Sequence, residues 1–151
     1  MSSRFVLETD IPATPFAVFD LARDIGAHVA SMRGSRERAV GGVTSGPVGL
    51  GDAVTFRARH FGMWFTMTAR ISEMDEPTRF VDEQVRGPFR SFRHEHRFEA
   101  TAQGGTRMTD TIDVASPLLG AVAERLVLVP YLRRLIARRN EHLAASFRSR
   151  E

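Results

Sequence analysis

On either side of Phe61-Gly62 the chain alternates apolar and polar residues without a fault. Between Gly51 and His60, Val54, Phe56 and Ala58 alternate with Thr55, Arg57 and Arg59. Beyond the pair, Met63, Phe65, Met67, Ala69 and Ile71 alternate with Trp64, Thr66, Thr68 and Arg70. Two such runs joined by two residues ending in glycine predict a β-hairpin. With this turn His60 faces Met63, Ala58 faces Phe65 and Phe56 faces Met67, which puts both apolar rows on one side. A slip of one residue would move every side chain to the wrong face, so turn and pattern specify the same register.

The rest of the chain can be read around that hairpin. Phe5 to Ile11 is a first strand, stopped by Pro12 and Pro15. From Pro15 to Arg23, Phe16, Phe19 and Ala22 recur at helical spacing, and Asp24 caps a second short helix with Ile25, His28, Val29 and Met32 on one face. Gly34 ends it. Glu76-Pro77 turns the chain into a strand over Phe80 to Val85, Gly87-Pro88 into a long strand over Phe89 to Ala102, and Gln103-Gly104-Gly105 into a last one over Thr106 to Val114. Ser116-Pro117 opens a helix whose Leu118, Val122 and Leu126 share a face. Pro130 should kink or break it, after which Leu132, Leu135, Ile136, Leu143 and Phe147 continue an apolar stripe. The expected order is strand, two short helices, six antiparallel strands and one long C-terminal helix. Only that helix is long enough to cover the apolar face of the sheet. A strongly curved sheet closed by a helix leaves space between them for a ligand.

Composition narrows the function. At 151 residues, 42% hydrophobic and 26% charged, the chain reads as one globular domain over 1–151. No run approaches the roughly 20 apolar residues of a membrane span. The N-terminus lacks the pattern of a signal peptide, and with no cysteine a cytoplasmic location is expected. Without lysine a Schiff-base mechanism is excluded, and without cysteine a thiol nucleophile. The pI of about 10.8 reflects 21 arginines against 18 acidic residues, a net charge of only +3. The densest basic run, Arg133-Arg134 with Arg138-Arg139, reads as the solvated face of the terminal helix, so no nucleic-acid partner is expected.

Several segments resemble a bacterial branch of the SRPBCC (START/Bet v 1-like, polyketide cyclase-like) superfamily: Arg59-His60-Phe61-Gly62, Phe80-Val81-Asp82-Glu83-Gln84, Gly87-Pro88-Phe89 and, most specifically, Phe92-Arg93-His94-Glu95-His96-Arg97-Phe98. Gly105 to Asp110, Ser116 to Gly120 and Arg139-Asn140 extend the likeness over nearly the whole chain. The resemblance implies an α+β helix-grip fold: a curved antiparallel sheet of about seven strands around a long C-terminal helix, with two short helices after strand 1 and a deep cavity between. It implies no single reaction, since that branch is described mostly as ligand-binding or cyclase-like. The iron-binding pattern of the superfamily's ring oxygenases is not visible here.

Alternation puts Phe92, His94, His96 and Phe98 on one face, the inner one, and Phe80, Asp82 and Gln84 on one face of the preceding strand. An odd-numbered Gly87-Pro88 loop sets Asp82 directly across from His94, within reach of a hydrogen bond; an even one turns Glu83 inward instead. Met108, Asp110 and Ile112 share the matching face of the last strand. The expected pocket is an apolar vessel walled by Phe56, Phe65, Met67, Phe92 and Met108. Its polar stripe holds His94, His96, Asp82, Gln84 and Asp110; His60 approaches it, and His28 faces either the cavity mouth or solvent. Buried unpaired, such groups would cost a few kcal/mol each, so they bond to one another, to water or to a ligand.

Three roles stay open for the stripe: a structural network, recognition of a carbonyl or hydroxyl on a greasy molecule, or acid–base work with Asp82 orienting His94. His94 and His96 can both face a metal, but spacing supplies no third ligand, and neither a metal nor a cofactor is assigned. His142 is expected in solvent, and Trp64 on the outer face. The resulting expectation is a binder of a small hydrophobic molecule (polyketide, lipid or isoprenoid-like). The alternative is a cyclase or dehydratase using a His–Asp pair.

Overall fold

In the computed structural model, which describes residues 2–117 and 120–148, seven antiparallel strands form one sheet in the order β1-β7-β6-β5-β4-β3-β2. They are β1 (Ser3–Ile11), β2 (Arg38–Gly42), β3 (Ala53–His60), β4 (Met63–Asp75), β5 (Arg79–Arg86), β6 (Ser91–Ala100) and β7 (Thr106–Ala115). Helices α1 (Pro15–Ala22) and α2 (Ile25–Ser31) follow β1, and the C-terminal segment is helical from Ala121 to Arg148. This is the expected helix-grip arrangement.

The β3–β4 hairpin has the register read from its pattern: His60 opposite Met63, Ala58 opposite Phe65 and Phe56 opposite Met67. Phe61 and Gly62 both have positive φ, 54° and 76°, which a two-residue hairpin turn of this hand requires. Thr14 and Asp24 cap α1 and α2, their side chains accepting from the N–H groups of Ala17 and Ala27. The buried side of α1 is Val18, Phe19 and Ala22, whereas Phe16 faces out. Phe19 meets Phe80 and Phe98 edge-on, with centroids 5.6 and 5.4 Å apart, and ties α1 to the sheet.

The C-terminal helix departs from expectation at its start. It begins as α3 (Ala121–Ala123), not at Ser116-Pro117; Leu118 lies outside the described residues. A π-helical turn, Glu124–Leu128, follows and leads into α4 (Val129–Arg148) without a break. Pro130 has no N–H to return to the preceding turn, and the wider turn just before it absorbs the mismatch. The buried face runs through Glu124, Leu132, Ile136, Asn140, Leu143 and Phe147. Val122 and Leu126 sit two residues off that line and are exposed. Glu124 accepts hydrogen bonds from Ser3 Oγ and the Ser116 N–H, both at 2.6 Å, fastening the helix start to β1. No helix among the described residues is long and apolar enough to cross a membrane.

Candidate functional site

Curvature of the sheet around α4 leaves a cavity of about 170 Å³. Phe56, Ala58, His60, Phe65 and Met67 of the β3–β4 hairpin form one wall, and Leu132, Ile136 and Arg139 of α4 form the roof. Ala22, His28 and Met32 close one end, and Asp82, Phe92, His94 and His96 supply the remaining wall.

Period-two alternation explains why β6 delivers two histidines to one side. Phe92, His94, His96 and Phe98 point inward, and both imidazoles are buried. Their rings stack 3.7 Å apart, and Phe80 stacks on the far face of His96 at 4.1 Å. Asp82 lies opposite His94 in the ladder, so the loop has the odd count, and Glu83 is on the outer face near Arg93. The hydrogen bonds cross diagonally, however. Asp82 Oδ2 is bonded to His96 Nε2 at 2.6 Å, and His94 Nε2 is bonded to Asp110 Oδ1 at 2.7 Å. The carboxylate that orients His94 is therefore Asp110, across on β7. The diagonal neighbour, roughly 7–8 Å away, is still within reach of side chains this long.

Arg139 completes the network. Its Nη1 donates to Asp110 Oδ1 at 3.0 Å and to Asn140 Oδ1 at 2.9 Å, and its Nη2 donates to His96 Nδ1 at 3.0 Å. Asn140 Nδ2 donates to Asp110 Oδ2 at 2.8 Å and to Thr9 Oγ1 at 3.1 Å. Arginine can only donate, so His96 Nδ1 must accept and its proton sits on Nε2, pointing at Asp82. Burial works to raise the Asp110 carboxyl, but Arg139 and the two histidines outweigh it and hold it well below the ordinary range. Asp82 is likewise held low, its His96 hydrogen bond overcoming burial. Burial and the neighbouring His96 ring push His94 down to about 4 against the pull of Asp110. His94 is thus neutral at pH 7, donating from Nε2 and leaving Nδ1 with a lone pair. Among the described residues neither His94 Nδ1 nor Asp82 Oδ1 has a hydrogen-bond partner, and neither is sealed from the cavity.

The other residues singled out from sequence fall in two groups. His28, Phe56, His60, Phe65, Met67, Phe92, His94 and His96 line the cavity, as does Asp82. Gln84, Met108 and Asp110 do not. Gln84 holds the β5–β6 loop, its Nε2 donating to Phe89 O at 2.8 Å while its Oε1 accepts from Phe89 N. Met108 is packed in the core beneath Phe98, and Asp110 is sealed behind the histidines. Alternation gives the face of a strand, not the depth along it. Arg139 is not solvated but 2% exposed, and Asn140 1%. A signal for this existed: Leu132, Ile136, Arg139 and Leu143 recur at helical spacing, so Arg139 falls on the apolar stripe. His142 is exposed, and Trp64 lies on the outer face under the Arg57 guanidinium, 4.6 Å from the ring.

Two features at the cavity, Glu37 in its lining and Tyr131 behind His60, had no sequence reading. Glu37 sits beside His28 Nε2 at 3.1 Å, yet its Oε2 is buried without a hydrogen bond. Tyr131 of α4 bonds His60 Nδ1 through its hydroxyl and packs on Phe61 at the hairpin tip. Burial lowers His60 and raises the Tyr131 phenol.

Asp82, His94 and His96 each bring a possible ligand atom within 4.8 Å of the others, a grouping that raises the question of a metal. Both nitrogens of His96 are already engaged, by Arg139 and Asp82. Only His94 Nδ1 and Asp82 then offer a lone pair, fewer than the three protein ligands a catalytic zinc site uses. The polar wall is therefore built to hydrogen-bond.

Comparison with solved structures supports the same fold. The chain is similar to an aromatase/cyclase from a Streptomyces species, at 14% identity and TM-score 0.79, over 99% of this chain and 96% of that one. It is similar to a protein of Thermus thermophilus at 20% identity and TM-score 0.74, over 95% of this chain and 99% of that one. It also resembles a major latex-like protein of Panax ginseng at 15% identity and TM-score 0.67, over 97% of each chain. No curated protein matches the sequence. The family model described as polyketide cyclase/dehydrase and lipid transport matches residues 3–148, and the chain belongs to that family.

Proposed function

We propose that this protein binds one small, largely apolar molecule in the cavity beneath α4 and reads a polar group on it with His94 Nδ1 and Asp82. The observation that carries this is the bare His94 Nδ1, on a buried imidazole oriented by its bond to Asp110, in the wall of a mostly apolar cavity. An acceptor without a protein partner in such a wall is free to take a hydrogen bond from a ligand hydroxyl or N–H. The family to which the chain belongs, and neighbours that include an aromatase/cyclase, support a guest of polyketide, lipid or isoprenoid character.

The second reading is a cyclase or dehydratase in which His94 removes a proton from the bound molecule. The Asp110–His94 pair favours it, since a buried carboxylate orients the imidazole and stabilises its charged form. A conjugate acid near 4 makes His94 a weak base at neutral pH, so binding ranks first.

The test is native mass spectrometry of freshly purified protein, followed by calorimetric titration with naphthaleneethanol. A co-purified small molecule and saturable binding are expected, lost in Ala69→Trp, which fills the cavity, and weakened at least about tenfold in His94→Ala. Binding unchanged in both variants would place the ligand elsewhere and end the proposal. Chemical conversion of the co-purified molecule by the wild type but not by His94→Ala would move the assignment to the enzyme.

A further inference from the structure

The charges around the cavity are unevenly paired. Both guanidiniums that line it are matched to carboxylates outside it: Arg139 to Asp110 at 3.0 Å, and Arg23 to Asp20 at 3.0 Å and Glu76 at 3.2 Å. The two carboxylates that line it, Asp82 and Glu37, have no guanidinium partner among the described residues. Asp82 meets only His96 there, and Glu37 only His28. Three of the imidazoles at the cavity have their geometry fixed by partners: His94 by Asp110, His96 by Arg139 and Asp82, and His60 by Tyr131. The His96 arrangement, accepting from Arg139 at Nδ1, is that of a neutral ring.

Glu37 supplies an independent pointer. Its side chain is only 9% exposed, it lines the cavity, and its buried Oε2 makes no hydrogen bond although His28 Nε2 is 3.1 Å away. A buried acceptor atom without a hydrogen bond is costly, and a donor on the bound molecule would satisfy it. Asp82 Oδ1, beside His94 and His96, is also without a partner among the described residues.

We infer that the natural occupant is an apolar molecule bearing a protonated amine, whose ammonium group lies against Asp82 or Glu37, the two lining carboxylates that have no guanidinium partner among the described residues. This rests on the binding function proposed above and names the chemical class of its ligand. An ammonium donates up to three hydrogen bonds, which suits either the neighbouring acceptors Asp82 Oδ1 and His94 Nδ1 or the Glu37 carboxylate. A fatty acid or other carboxylate would meet like charge at these positions, which disfavours it.

Three probes of nearly equal size separate the possibilities: naphthylethylamine, naphthaleneethanol and naphthaleneacetate. They are titrated into the full chain by calorimetry at about pH 8, where the amine is protonated and the acetate ionised. The amine is expected to bind at least about tenfold more tightly than the alcohol, and the carboxylate more weakly than either. Glu37→Gln and Asp82→Asn should each bring the amine closer to the alcohol. Glu37 lies outside the Asp110–Arg139 network, so its variant keeps the test open if Asp82→Asn fails to fold. If the alcohol binds and the amine shows no preference, or the carboxylate binds best, the charge assignment is wrong while the binding function stands. If none of the three binds at millimolar concentration, both fall.

Discussion

Replacing Arg139 by alanine is the sharpest perturbation of the fold's polar centre. In the folded chain Arg139 donates to Asp110, Asn140 and His96. Among the described residues it is the only guanidinium bonded to Asp110, a carboxylate with no exposed surface. Truncation leaves Asp110 charged and buried with only the His94 and Asn140 donors, the situation in which breaking a buried ion pair costs about 3–5 kcal/mol. A domain of this size is stable by only about 5–15 kcal/mol, so the variant should unfold at much lower urea with an unchanged m-value. Arg138→Ala, one residue away and exposed, should cost less than about 0.5 kcal/mol. Circular dichroism during urea titration at neutral pH measures both. Adding Asp110→Asn to Arg139→Ala should recover part of the loss, because the stranded charge disappears with it. A cost for Arg139→Ala as small as that of Arg138→Ala would refute the network, and with it the argument that fixes the His96 tautomer.

Other consequences follow for pH and for the backbone. His94 falls from 6.5 to about 4 on folding, so between those values the unfolded chain binds more protons; its stabilisation is complete above 6.5 and is lost as pH falls. At roughly 1.4 kcal/mol per unit the loss by pH 4 is about 3 kcal/mol, and it continues below as the lowered Asp110 and Asp82 protonate. Urea melts from pH 8 to 4 should show this slope, and His94→Gln should flatten it; stability rising on acidification would contradict the burial of a neutral imidazole. Gly42, at φ +67°, has the place of a Cβ only 2.1 Å from Ala53 O, whereas nothing lies within 4 Å of one at Gly34. Gly42→Ala should therefore lower stability by more than about 1 kcal/mol, and Gly34→Ala should leave it equal or slightly higher. Thermal melts of the two variants decide the matter, and equal effects would count against the β2–β3 geometry.

The hairpin was legible because two independent signals, a period of two and a two-residue glycine turn, had to agree on one register. Strand β2 was not. It is five residues at the sheet edge, contains Gly41-Gly42, and slips register between Ala39 and Gly41, so no alternation survives for the eye to follow. The inward face of β6 followed from Phe92 and Phe98 flanking the histidines, but which carboxylate each histidine would choose did not. Asp82 and Asp110 both stand beside β6, and the choice depends on side-chain direction and on Arg139 arriving from α4. Arg139 itself was hidden among neighbours of its own kind; only its spacing from Leu132, Ile136 and Leu143 distinguished it from Arg133, Arg134 and Arg138. Glu37 could not be foreseen at all, because it lies in the irregular chain between α2 and β2, where no periodicity assigns a face.

Long-range proton–nitrogen NMR of the histidine side chains tests the polar wall most directly. At pH 7 His94 and His96 should each carry one proton, on Nε2, and saturation with naphthaleneethanol should shift His94 Nδ1 while leaving the exposed His142 where it was. A His94 protonated on both nitrogens, or one indifferent to a saturating ligand, would contradict the claim that this atom reads the molecule in the cavity.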